Sequence, residues 1–136
     1  LAALERFMTI DEFIQFGDKG GDGEDISYSI DENGHADIPA GTMYIKEEAF
    51  LNCSKLISVI IPDSVREIRS LAFGGCKSLA SVVISSSGSL LIRNRAFAGC
   101  TSLTDVVFKN NPLKVIAKNA FEGCPCEEEV KKLPML

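Results

Sequence analysis

The chain has 136 residues, 46% of them apolar and 24% charged, with a net charge of −5. That is enough apolar material for one domain with a continuous core, and no apolar run approaches the roughly 20 residues of a membrane-spanning helix. One histidine and five cysteines leave little for general-base chemistry and make an odd count for a paired disulfide framework.

The charge is segregated along the chain. Residues 1–37 hold ten acids and two bases, residues 38–121 five acids and ten bases, and residues 122–136 four acids and two bases. A basic body between acidic flanks reads as soluble ends, or as a body built to face an acidic partner.

The sequence starts at Leu1 rather than Met, so it reads as a processed or truncated product, and a signal removed before Leu1 is compatible with it. Leu1 to Phe16 has helical spacing, with Leu1, Leu4 and Phe7 or Met8 on one side. Glu5, Asp11 and Glu12 interrupt it, unlike a signal peptide. Thr9 to Glu12 fits a capping box that starts a second short turn. Residues 17–25 then form an acidic, glycine-rich loop. Read as a calcium loop from Asp18, its third position is Gly20 and its twelfth Ser29, so two ligands are missing and a solvated loop is the better reading. Ile26 to Ile30 alternates like a strand, Asn33-Gly34 supplies a turn, and Ala36 to Ile38 returns, which predicts a hairpin. His35 beside that turn has no nucleophile partner and reads as solvent-exposed.

The body is repetitive. Phenylalanines stand at 50, 73, 97 and 121, each after an alanine and each followed three residues later by Cys53, Cys76, Cys100 or Cys124. An isoleucine (45, 68, 92, 116) precedes each pair, and Leu56-x-x-Val59-x-Ile61, with its copies at 79–84 and 103–108, follows. A period of 23 or 24 residues marks a solenoid, whose units cover one another's apolar faces. Leu56, Val59 and Ile61 are expected to point inward, with Val65 and Ile68 in a second short segment on the opposite side. The four ladder cysteines read as small buried thiols. The positions just before them (Asn52, Gly75, Gly99, Gly123) are predicted to have positive φ, which Gly and Asn reach at little cost.

In the fourth unit Glu127 stands where the leucine belongs. Glu127 and Glu128, four residues before Lys131 and Lys132, predict a short helix stopped by Pro134. Cys124-Pro-Cys126 has neither a second cysteine pair nor enough histidine for a metal or redox site. The expected division is 1–37 as N-terminal helix, acidic loop and capping hairpin, 38–124 as repeats of about four units, and 125–136 as C-terminal cap.

The pattern Ile-x-x-x-Ala-Phe-x-x-Cys-x-x-Leu-x-x-Val-x-Ile-Pro closely resembles the BspA-type, or Treponema-type, leucine-rich repeat. The resemblance covers about residues 38–124 and is carried best by Ile45 to Ile61 and Ile68 to Ile84. The third unit departs from it, with Ser85 to Ser89 replacing a Pro-x-Ser-Val turn. The resemblance implies a leucine-rich-repeat solenoid, a right-handed superhelix with a parallel β-sheet and short helical turns, used for protein–protein or surface recognition. It implies no catalytic residues. Compartment does not follow, since cell-surface, secreted, intracellular and organellar proteins all fit.

No phosphate loop, zinc-ligand spacing or catalytic serine motif appears, and no cofactor or metal is implied. Nucleic acid is not an expected partner, because most aromatics belong to the core ladder. Asn52 to Ser54 matches a glycosylation triplet, but Cys53 within it is expected to be buried. The surfaces remain. Ile60, Val83 and Val107 should line up on the outside of the sheet, beside Ser58, Ser81 and Asp105, as a contact stripe or as ordinary β-propensity. Lys46, Arg69 and Arg93 should form a basic row, with Arg66, Arg95, Lys114 and Lys118 nearby, suited to a carboxylate-rich, acidic protein partner or to an anionic head group. The expected function is non-enzymatic protein binding. The alternatives are a structural subunit of a larger assembly and a fragment of a secreted or surface adhesin.

Overall fold

The computed structural model describes residues 28–110 and 112–133. The helical N-terminal segment and acidic loop expected over residues 1–25 lie outside them. Within the described residues nine strands and one helix come in order: β1 (Ser29–Ile30), β2 (His35–Asp37), β3 (Tyr44–Ile45), β4 (Ser58–Ile61), β5 (Glu67–Ile68), β6 (Ser81–Ile84), β7 (Ser89–Ile92), β8 (Asp105–Phe108), β9 (Leu113–Ile116) and α1 (Glu127–Lys131). Each coil of the solenoid gives one strand to each of two sheets. The first sheet runs β1-β2-β4-β6-β8 and the second β3-β5-β7-β9. All pairings are parallel except β1 with β2, the hairpin at the N-terminal end.

The second sheet is more developed than a short apolar segment. Its strands lengthen from two residues in β3 and β5 to four in β7 and β9. Between β4 and β5, Pro62 accepts from Val65 N–H in a tight turn and, as proline, has no N–H to extend a ladder. Between β6 and β7 no proline intervenes, and the extra residue lets the chain run on as strand.

The core is a stack of columns. Leu56, Val59, Ile61, Val65 and Ile68 are all buried, as are Leu79, Val82, Ile84 and Ile92. Phe50, Phe73, Phe97 and Phe121 stack with centroids 4.8–5.0 Å apart and planes within 6° of parallel. The separation is that of neighbouring strands and falls in the offset-stacking range, where each ring pair adds about 1 kcal/mol beyond burial. Tyr28 begins the column, 4.9 Å from Phe50 and tilted by 34°.

The third side of each coil has no strand, yet its backbone is still paired. Phe50 N–H donates to Ala72 O at 2.6 Å, Phe73 to Ala96 at 2.8 Å and Phe97 to Ala120 at 2.7 Å. The cysteines complete this side. Cys76, Cys100 and Cys124 each point a thiol at the carbonyl of the ladder phenylalanine one coil earlier, at 3.0 Å. That carbonyl also accepts the N–H of its own coil's cysteine, as Phe50 O does from Cys53 at 3.0 Å. A weak donor small enough for the column therefore fills the carbonyl's second lone pair. All five thiols are unpaired and buried, and burial raises Cys53 above the usual thiol value.

Asn52, Gly75, Gly99 and Gly123 have φ of 60°, 70°, 78° and 83°, as predicted. A second left-handed column is new: Glu48, Leu71 and Arg95 have φ of 62°, 60° and 62°. Each sits third in an i→i+3 turn, closed by Ala49 on Lys46, Ala72 on Arg69 and Ala96 on Arg93. A turn of type II demands positive φ there, and at Glu48 the N–H is also bonded across coils to Ser70 O at 3.1 Å.

Candidate functional site

The outer face of the first sheet is set by register. Asp37, Ile60, Val83 and Val107 pair in succession, as do His35, Ser58, Ser81 and Asp105. Because Val59, Val82 and their neighbours face the core, strand alternation turns Ile60, Val83 and Val107 outward. Ile60 is 48% and Val107 42% exposed, Val83 is half-buried, and Ile57 at the strand entrance is 47% exposed. The result is an apolar stripe beside a polar row. His35 is not the solvent-exposed turn residue expected from its neighbours. It lies half-buried in β2, with its Nδ1 2.9 Å from Ser58 Oγ.

Lys46, Arg69 and Arg93 follow the isoleucine column of the second sheet, but they do not form a row of unopposed charge. Glu67 on β5 receives Arg69 Nε on one carboxylate oxygen at 3.1 Å and Arg93 Nε on the other. Burial alone would raise the Glu67 carboxyl, yet the hydrogen bonds from Arg93 and Arg69 hold it below the usual carboxylate range. Arg69 also lies over the Tyr44 ring, 3.7 Å from its centroid. Both arginines keep an outer surface, with side chains 40% and 51% exposed. One carboxylate thus offsets the repulsion that like charges at strand spacing would create.

The surrounding bases divide. Arg66 donates to Asp63 O at 2.7 Å and to Val65 O at 3.2 Å. Arg95 lies 3.9 Å from Glu122. Lys114, expected near the surface row, is inside: it is 4% exposed, with Nζ 3.4 Å from Pro112 O and 5.1 Å from the Phe108 ring centroid. Parity explains the correction, since Ile116 belongs to the inward column and Lys114 is two residues before it. The same parity turns Leu113 and Val115 outward, 62% and 46% exposed. The position of Ile116 was the signal that places all three.

Among the described residues no group of three or more histidine, cysteine, aspartate or glutamate side chains is placed to hold a metal. None of their helices is long and apolar enough to cross a membrane.

A family model for the BspA-type leucine-rich repeat region, six copies long, matches residues 28–132. The chain belongs to the BspA-type leucine-rich repeat family. The match reaches past the repeats into the hairpin and α1, and the two stacked sheets are the solenoid such repeats build. Repeats of this kind are generally protein-interaction modules, so a protein is the expected class of partner. No curated protein and no solved structure matches the chain.

Proposed function

We propose that this BspA-type chain is a non-enzymatic protein-binding module. Its main contact is the stripe of Ile60, Val83 and Val107, and its second the outer edges of Lys46, Arg69 and Arg93. The observation that carries the reading is three apolar side chains in register on successive parallel strands, with two of them more than 40% exposed. A ladder spaced by backbone hydrogen bonds presents them in a fixed lattice, so little conformational freedom is lost on binding. Because Glu67 already neutralises part of the arginine pair, the basic edge serves orientation more than affinity, and an acidic partner suits it.

A photo-crosslinker placed at Ser81, beside the stripe, tests this in a gentle native extract. The expected result is one dominant protein adduct that disappears in an Ile60→Asp, Val107→Asp double variant. An adduct pattern unchanged by the double variant would refute the stripe. The charge segregation between acidic flanks and basic body favours a second reading, a subunit held in a larger assembly. Native size, set against the denatured mass of the same protein, separates the two: a far larger native mass supports the assembly, and an equal one a free recognition module.

A further inference from the structure

The C-terminal end of the solenoid carries features that neither outer face explains. Among the described residues β9 is the last strand of the second sheet. Ala117 N–H donates back to Ile92 O at 2.9 Å, so strand alternation sends the Ile116 N–H toward the opposite edge, where no strand follows. Beside that edge opens a cavity of about 380 Å³. Ile116, Phe121 and Val130 form its apolar lining, and Lys118, Glu127 and Lys131 its charged lining. Lys131 is paired with Glu127 at 3.3 Å. Lys118 is exposed and has no hydrogen-bond or ion-pair partner among the described residues. Residues 106–121 contain three lysines and no acid.

These observations also select the occupant. A further coil, from a second copy or otherwise, would have to continue the column in which Leu90 is followed by Lys114. Lys114 is a buried cation held by Pro112 O and the Phe108 ring. A further coil would have to set an apolar side chain against this inward cation, which is already only 4% exposed, and an inward charge at an edge is a known guard against sheet-to-sheet addition. The end of the strand at Ile116 and the two residues after it, Ala117 and Lys118, carry no inward charge and line the cavity. It has room for a single strand with one apolar side chain.

We propose that the β9 edge is a docking site for an extended acidic peptide of a partner protein. The peptide adds as a strand beside Ile116, inserts one apolar side chain between Ile116, Phe121 and Val130, and sets a carboxylate against Lys118. Backbone pairing supplies affinity, and the pocket and lysine supply choice of sequence. This site is separate from the stripe of the first sheet and stands or falls independently of it.

The test is a titration of the full ¹⁵N-labelled chain with an octapeptide alternating valine and glutamate, followed by amide shifts. Saturable shifts are expected at Leu113 to Lys118 and at Val130, slowed exchange at the Ile116 amide, and none at Ile60 or Val83. Lys118→Glu is expected to weaken the octapeptide about tenfold, whereas Lys118→Arg keeps its affinity, and added salt weakens it. Three results would overturn the site: no β9 shifts at millimolar peptide, equal binding of a valine–lysine octapeptide, or shifts confined to β8. So would a mass that rises with protein concentration and that the valine–glutamate peptide does not reverse, since a second copy would then hold the edge.

Discussion

The central coil and the last coil carry nearly the same residues at the same register, yet they are not buried alike. Val82 and Ile84 on β6 are fully buried, whereas Val106 and Phe108, their partners on β8, are only partly so. Ile92 on β7 is fully buried and Ile116 on β9 is not. The difference is the coil that comes next. In a solenoid a side chain's burial belongs to the interface between units and not to the unit itself. Among the described residues the last coil is closed where Cys126 N–H reaches back to Leu103 O at 3.2 Å and Val130 of α1 is buried. Among the described residues no strand follows β8 or β9. A central coil therefore makes a core, and a terminal coil makes a surface that resembles one.

The aromatic column gives the largest expected break in that comparison. Phe73→Ala removes a ring stacked on both sides and should cost about 3–5 kcal/mol in urea unfolding. Phe121→Ala removes a ring with one stacked neighbour and should cost less by about 1 kcal/mol; equal losses would mean that the stack adds nothing beyond burial.

A middle-sized effect is expected at Glu67, which exists only where two arginines of successive central coils meet. Its folded carboxyl lies below its unfolded value, so its stabilisation is present at neutral pH. It is lost as pH falls through the unfolded value of about 4.3 and below. Glu67→Gln should thus cost about 1 kcal/mol or less at pH 7, because both arginines are well exposed. The gap to the parent should close toward pH 3. A gap independent of pH would show that packing and not charge sets it.

The smallest effect separates the two left-handed columns. Glu48→Asn places a residue that tolerates φ near 60° where a glutamate is held there. It should raise stability by roughly 0.5 kcal/mol, measured as a shift in the urea midpoint. The same change at Glu47, whose φ is not positive, should do nothing.

Much of this was legible in the chain, for a reason tied to repetition. Ala72-Phe73 and Cys76 recur with their copies, so each column could be counted four times over, and the glycine column announced its backbone. The column at Glu48, Leu71 and Arg95 was illegible because no residue type there betrays a left-handed turn. The turn closed by the following alanine holds it, and at Glu48 the neighbouring coil adds a bond from its N–H to Ser70 O at 3.1 Å. Of the candidate surfaces, the Ile60 stripe was readable from alternation. The basic row was readable as composition but not as electrostatics, since Glu67 lies two residues before Arg69 and 26 before Arg93.

The repeat period, the inward and outward faces of the first sheet and the family all follow from the order of residues, because local alternation and a 23- or 24-residue return are properties of the chain itself. Tertiary structure alone decided that the second side becomes a full parallel ladder, that Glu67 clamps two arginines, and that Lys114 turns inward under Phe108. It also decided that β9, the last strand of the second sheet among the described residues, lies beside an open pocket. Each of these is a relation between coils. Contacts between coils arise only when the solenoid closes, since backbone pairing at strand spacing brings together residues some two dozen positions apart.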